Sequence, residues 1–267
     1  MNLFYRKEGS GPPLVIVHGL YGSSDNWLNI GKRLAEKFTV YMIDQRNHGR
    51  SPFANSHTFN DMRDDLLNFF EKHNIEKATL LGHSMGGKVA MWFAYDFPEK
   101  IEKLVIADIA PKDYLLLKDD SQFYLHQNIL LAMQEIDFSK IKSRSDVDDF
   151  MSQKIDDERI RQFLLKNVAK DKKLHQYKWR VNAGVLYDHL DEIVSGVNKN
   201  WLYERSPIMS YPVIFIRGMK SKYILPEDEK LIKEIYPDST IIDIPNAGHW
   251  LHAEQPKLFM KAVMRCC

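Results

Sequence analysis

The stretch that most restricts how this chain can fold is residues 77–97, KATLLGHSMGGKVAMWFAYDF, where Gly82, His83, Ser84, Met85 and Gly86 spell G-x-S-x-G. An apolar run precedes the motif and helix-forming residues follow it, so the local order is strand, tight turn, helix. A turn this sharp strains the backbone at the serine and leaves no room for side chains two residues either side. That accounts for glycine at 82 and 86. Ser84 is expected over the end of a sheet and at the start of the next helix, where free backbone N–H groups favour developing negative charge. A chance serine in a glycine-rich turn would leave the partners described below unexplained. A phosphate loop, G-x-x-x-x-G-K, fits Gly82, Gly87 and Lys88, but Val89 stands where that loop needs a magnesium-holding Ser or Thr.

The rest of the chain supplies alternating strands and helices. Residues 2–6 read as a short alternating strand and LVIVHG as a strand buried on both faces. A helix over about 25–37 follows, capped by Ser24 or Asp25, and then TVYMID as another buried strand. DQRNHGRSP is a loop in which Arg46 and His48 are read as structural. Thr58 with Asp61 resembles a capping box opening a helix through about residue 73. Past the serine's strand and helix, the apolar run of EKLVIADIAP ends at Asp108 and is stopped by Pro111. A carboxylate there, at the C-terminal end of a parallel strand, faces the crevice where α/β proteins bind ligands.

From 112 to 206 the spacing turns helical, as in Phe123, Ile129, Leu130 and Met133, then Ile160, Phe163, Leu164 and Val168. The expected organisation is a core of residues 1–111 and 207–267 with a helical cap at 112–206, placed as a lid over the serine. The basic stretch KNVAKDKKLHQYKWR within the cap reads as a solvated helix end rather than a landing site for an anionic substrate. The core resumes with the strand PVIFIRG, a helix begun by Pro226, the strand and loop IIDIPNAGH, and a closing helix over about 252–264. The fold class is α/β, with a mostly parallel central sheet and helices on both faces.

Net charge over the 267 residues is +1, which gives no field to draw nucleic acid or an anionic membrane. No apolar run approaches a membrane span, and the charged N-terminus lacks the apolar core of a signal peptide. Cys266 and Cys267, adjacent at the C-terminus, are unsuited to stapling the fold and suggest a reducing compartment. A cytoplasmic location is expected.

A serine hydroxyl needs a neighbouring base with a pKa near neutrality, which points to histidine. Of the ten histidines, His249 follows Gly248 in the loop after the last expected strand and is free to reach Ser84, while the elbow directs His83 away. An aspartate must then fix the imidazole tautomer and stabilise its cation. Asp108 and the loop after PVIFIRG are the two places to look.

VIVHGLYGSSDNW, DQRNHGRS, GHSMGG, ADIAP and AGHWLHAEQP together resemble the α/β-hydrolase superfamily over nearly the whole chain. Many members place the acid shortly after the strand matching PVIFIRG, but GMKSKY offers Ser221 and lysines there. The chain looks like the small capped YbfF-type esterases through DIAP, QFLLK and WR, and that resemblance implies an acid drawn from the strand ending at Asp108. It thus implies an α/β-hydrolase fold with Ser84, Asp108 and His249 as nucleophile, acid and base. It further implies oxyanion donors in the backbone N–H groups of Leu20 and Met85, with His18 holding the Leu20 loop, and structural roles for Asp228 and Asp243.

The implied activity is hydrolysis of a carboxylic ester or thioester of a small to medium acyl group through an acyl-enzyme, with no metal or organic cofactor. The implied partner is the small-molecule acyl substrate, without nucleic acid or membrane, and the protein is expected as a monomer or homodimer. Similar folds also cleave carbon–carbon bonds, act as lyases, or bind ligands without catalysis. Dehalogenases and epoxide hydrolases would carry Asp at position 84.

Overall fold

Branched aliphatic runs build one seven-stranded sheet in the computed structural model, which describes residues 1–115, 121–171, 176–196, 204 and 206–265. The strands are β1 (Tyr5–Glu8), β2 (Pro13–Val17), β3 (Thr39–Ile43), β4 (Ala78–His83), β5 (Ile101–Ala107), β8 (Val213–Gly218) and β9 (Thr240–Ile244). Their order across the sheet is β1-β3-β2-β4-β5-β8-β9, and only β1 runs antiparallel to its neighbour. Residues alternating along the strands feed two apolar clusters, one on each face. Val15, Leu80 and Ile106 belong to one, Leu14, Leu81 and Val105 to the other. That two-sided burial is why these strands read as continuous apolar runs.

Register fixes the site. His83 of β4 pairs with Ala107 of β5, so the next residue on each strand, Ser84 and Asp108, emerges at the same edge. Ala107 pairs in turn with Ile216 of β8, which brings the end of β8 beside Asp108.

Helices α1 (Leu28–Leu34), α2 (Phe59–Lys72) and α3 (Met85–Asp96) connect the first strands. The Thr58–Asp61 capping box forms as expected, with the Asp61 N–H donating to Thr58 Oγ1 at 3.1 Å. Such a cap is worth about 1 kcal/mol. The first helix departs from expectation. It opens with a short 3-10 turn, Ser24–Trp27, capped by Ser23, because the Ser24 N–H is taken by the Asp44 carboxylate and Asp25 lies inside the turn. It ends at Leu34, whose carbonyl accepts from both Lys37 and Phe38, turning the chain into β3. β1 starts at Tyr5 and extends to Glu8, beyond the expected 2–6.

Between β5 and β8 lie α4 (Ser121–Glu135), α5 (Arg144–Ser152), α6 (Glu158–Leu165), α7 (Ala183–Asp188) and α8 (Leu190–Ser195). Of the basic stretch only Lys166 caps a helix end, that of α6; its other described residues include two short antiparallel strands, β6 (Val168–Lys170) and β7 (Tyr177–Trp179), with Lys178 paired to Asp171 at 2.8 Å. β-branched and aromatic residues at 168, 177 and 179 favour strand, but three-residue strands carry no readable period.

After β8 come α9 (Asp228–Ile235), α10 (Leu251–Glu254) and α11 (Pro256–Arg265). The expected closing helix is thus two helices broken at Gln255, since Pro256 has no N–H with which to continue the first. Cys266, Cys267 and the basic residues Lys172, Lys173 and His175 lie outside the described residues. Among the described residues no helix is long and apolar enough to cross a membrane.

Candidate active site

Ser84 sits between β4 and α3 with φ 54° and ψ −122°, a left-handed backbone that a non-glycine residue adopts only under constraint. Close packing supplies the constraint. A Cβ on Gly82 would lie 2.3 Å from the Gly86 carbonyl oxygen, and one on Gly86 would lie 2.3 Å from that of Val17. The Ser84 N–H donates to the Ala107 carbonyl at 3.1 Å, pinning the elbow to β5.

His249 arrives in the loop after β9. Ser84 Oγ donates to its Nε2 at 2.9 Å, and its Nδ1–H donates to Asp108 Oδ2 at 2.8 Å. Asp108 is fully buried and itself has φ 53°. Its Oδ1 accepts from the Gly218 N–H at 2.9 Å and its Oδ2 from the Ser221 hydroxyl. Three sequence-predicted residues, 165 positions apart at the extremes, therefore form one continuous relay. Ser221, in the loop after β8 that was the other place to look for the acid, donates to Asp108 instead.

His83 has a different task from His249. Its Nε2–H donates to the His249 backbone carbonyl at 2.8 Å, steadying the loop, and burial holds its own pKa well below the usual value. His18 is buried, its pKa pushed down to about 4 by desolvation. Its Nδ1–H donates to the Gly19 carbonyl at 2.8 Å and its Nε2 accepts from the Gln45 N–H at 3.0 Å, so it holds the loop as expected. His48 Nε2 accepts from the Tyr21 N–H at 3.1 Å, and Arg46 pairs with Asp65 at 2.6 Å and Asp61 at 3.0 Å, both structural.

Gly19 packs close enough to Ser84 that a Cβ there would meet the serine Cβ at 3.0 Å, which sets Leu20 beside the nucleophile. Met85 is the first residue of α3, so its N–H has no acceptor within the helix. Both residues line a small cavity next to Ser84. Asp228 pairs with Lys112 at 2.6 Å and Asp243 with Arg217 at 2.7 Å, away from the serine. Lys88 Nζ is engaged within the fold, donating to the carbonyls of Ile193 and Val194.

A cavity of about 530 Å³ opens onto Ser84 and His249, with Leu125, Ile129, Ile160, Phe163 and Trp250 among its walls. Several of these come from α4 and α6, whose register over the sheet could not be read from spacing. Tyr223 also escaped sequence reasoning. Its ring stacks on His249, and no periodic signal marks a tertiary contact of that kind.

Comparison with known proteins agrees with this architecture. A family model described as the alpha/beta hydrolase fold matches residues 12–256. The chain is 32% identical over 260 residues to the esterase YbfF of Escherichia coli strain K12, covering 97% of this chain and 94% of that protein. It is 34% identical over 263 residues to the sn-1-specific diacylglycerol lipase ABHD11 of Danio rerio, covering 96% and 78% respectively. A solved structure titled as a marine microorganism esterase superposes with a TM-score of 0.91 at 43% identity, covering 98% of each chain. On sheet order, elbow and these likenesses alike, the chain belongs to the α/β-hydrolase family, among its YbfF-type esterases.

Proposed function

We propose that the protein hydrolyses carboxylic ester or thioester bonds of small to medium acyl substrates through an acyl-enzyme on Ser84. The observation that carries this reading is the relay Ser84–His249–Asp108, with links of 2.9 and 2.8 Å. His249 takes the serine proton as Oγ attacks the carbonyl, and Asp108 holds the imidazole in the required tautomer and stabilises its cation. The backbone N–H groups of Leu20 and Met85 receive the oxyanion, each such donor being worth roughly 3 kcal/mol of barrier. His249 then passes its proton to the leaving oxygen or sulfur. Water, activated by the same imidazole, resolves the acyl-enzyme.

Residues 112–206 act as the cap, since α4 and α6 supply walls of the large cavity and limit water at the serine. The substrate is a small molecule met in the cytoplasm by a monomer or homodimer, in keeping with the near-neutral charge. The test is labelling by a fluorophosphonate together with turnover of p-nitrophenyl acetate. The expected result is one label, on Ser84, and loss of both label and turnover in Ser84→Ala. Undiminished turnover in that variant would sink the reading.

A further inference from the structure

Helix α4 turns one face toward the nucleophile, and that face is only half apolar. Gln122, Leu125, His126 and Ile129, spaced i, i+3, i+4 and i+7, all line the large cavity that opens onto Ser84. Leu125 and Ile129 are what a buried stripe requires. Gln122 and His126 are not, and these two also line the smaller cavity beside the serine.

His18 and His48 show what a structural imidazole looks like in this protein. Each uses both ring nitrogens, His18 on the Gly19 carbonyl and the Gln45 N–H, His48 on the Arg46 carbonyl and the Tyr21 N–H. His126 uses neither. Among the described residues its Nδ1 is buried without a partner, and its Nε2 has none either. Of the other described histidines with an unpaired buried nitrogen, His57 borders neither cavity, and His252 lies flat on Trp27 with ring centroids 4.2 Å apart.

The His126 ring is held in place. Tyr21 packs against it with centroids 5.7 Å apart, and the Tyr21 hydroxyl donates to the His126 carbonyl at 3.5 Å. Burial, with His249 and Lys88 nearby, pushes its pKa down to about 4, so the imidazole is neutral near pH 7 and carries one N–H. A buried N–H without a partner is less tolerable than a buried acceptor without one. The proton therefore belongs on Nε2, the nitrogen that is not sealed in. Gln122 presents the same polarity. Its Oε1 accepts from the Tyr223 hydroxyl at 2.8 Å, which leaves the amide N–H groups as its open end.

Two uncharged N–H donors, one helical turn apart, thus border the space over the serine without an acceptor among the described residues. We infer that Gln122 and His126 form a subsite for a second, uncharged carbonyl on the substrate, a keto group a few bonds from the scissile ester or thioester. This rests on the acyl-transfer reading above, in which the reacting carbonyl is received by Leu20 and Met85. It deepens that reading by naming the substrate class: esters or thioesters whose acyl or leaving part bears a ketone. A carboxylate suits the place less well. Neither donor is charged, and the Lys88 ammonium already serves two carbonyls, so an anion would be desolvated without a counter-charge.

The experiment uses the full chain and compares kcat/KM, divided by each ester's own hydroxide-catalysed rate, across one skeleton. The esters are propyl butyrate, propyl 3-oxobutyrate, 2-oxopropyl butyrate and, carrying a carboxylate, monopropyl succinate. At least one oxo ester should exceed propyl butyrate by about tenfold or more, as expected when otherwise unpaired donors gain an acceptor. Monopropyl succinate should not. In His126→Phe, which keeps a flat ring without the N–H, the oxo advantage should fall to within about threefold, whereas His126→Gln, which keeps a donor, should retain part of it.

If the unaltered protein prefers neither oxo ester, or prefers monopropyl succinate to both, the assignment is overturned whether or not the variants fold. An advantage that survives intact in His126→Phe overturns it equally. Those failures leave Ser84-dependent turnover in place. Absence of any Ser84-dependent turnover removes the serine reading and this one together.

Discussion

The phenol ring of Tyr223 lies nearly flat against the His249 imidazole, with centroids 3.8 Å apart and planes 20° from parallel. The tyrosine is itself fixed at both ends, its hydroxyl donating to Gln122 Oε1 of α4 at 2.8 Å and its N–H to Ser221 Oγ at 3.2 Å. An aromatic face in that position keeps the imidazole from swinging away and favours the cation formed as the serine loses its proton. Such contacts are worth about 0.5 to 2 kcal/mol. Tyr223→Leu should therefore lower kcat by about 3- to 30-fold on p-nitrophenyl acetate. Tyr223→Phe, which keeps the ring, should lose much less; equal losses in the two variants would remove stacking as the cause.

Asp108 and Ser221 share a hydrogen bond but not a role. Asp108→Asn keeps the shape while presenting an amide to His249 Nδ1, which favours the wrong tautomer, and kcat should fall by about 10⁴-fold. Ser221→Ala removes one of the donors to Asp108 and leaves the Gly218 N–H and His249 in place, so a loss within about tenfold is expected. Steady-state kinetics of the two variants decide the matter. The reverse ranking would move the acid's role away from Asp108.

The elbow and the mostly parallel sheet were legible because each follows from a local rule, and His249 from its place after the last strand, whereas Asp108 was singled out from two candidate places only by family resemblance. Gly82 is required by a clash with the Gly86 carbonyl inside the same turn, and Gly86 by one with the Val17 carbonyl of the neighbouring strand β2, and the turn itself gives the two glycines their fixed spacing in the sequence. The Thr58–Asp61 cap was legible for the same reason. What spacing did not reveal is tertiary. The β6–β7 pair is too short to show a period, the Ser23 cap depends on Asp44 claiming the Ser24 N–H, and the cavity walls depend on how α4 and α6 lie over the sheet. Ser221 was visible only as a departure from a family pattern. Its bond to Asp108 gives that departure a physical sense.

Acid should unfold this protein early. His18, His48, His57, His83 and His252 are all buried, and desolvation lowers every one, His18 to about 4, His48 and His252 to about 3, His57 and His83 well below the usual value. Their folded pKa values lie below the unfolded 6.5, so the unfolded chain binds more protons as pH falls. The stability they contribute is complete well above pH 6.5 and is lost as pH drops from there toward 4. Between pH 6.5 and 5.5 the loss is about 1 kcal/mol per histidine. Protonation would also break the bonds by which His18 and His48 accept from Gln45 and Tyr21. Urea midpoints at pH 7.5, 6.5 and 5.5 should fall a little over the first interval, where the unfolded imidazoles become half protonated, and about threefold more over the second. A midpoint unchanged at 5.5 would show that these imidazoles are not neutral in the fold.

Asp228 is the carboxylate whose removal best separates stability from catalysis. Its Oδ2 accepts from Lys112 Nζ at 2.6 Å and from the Leu225 N–H at 2.8 Å, and both charged side chains are over 90% buried, with 7% and 8% exposure. Asp228→Ala strands the ammonium without its partner, which should destabilise the fold by about 3 to 5 kcal/mol. Replacing both residues, Lys112→Met with Asp228→Leu, removes the pair and its desolvation together and should recover most of that loss. Denaturant melts of the three proteins test the cycle. Neither residue belongs to the serine relay, so any single variant that stays folded at low temperature should keep kcat on p-nitrophenyl acetate within about threefold, as expected for a group remote from the reacting atoms. An Asp228→Ala protein of undiminished stability that no longer turned over substrate would make Asp228 the working carboxylate, and the buried bond between Asp108 and His249 would then need another explanation.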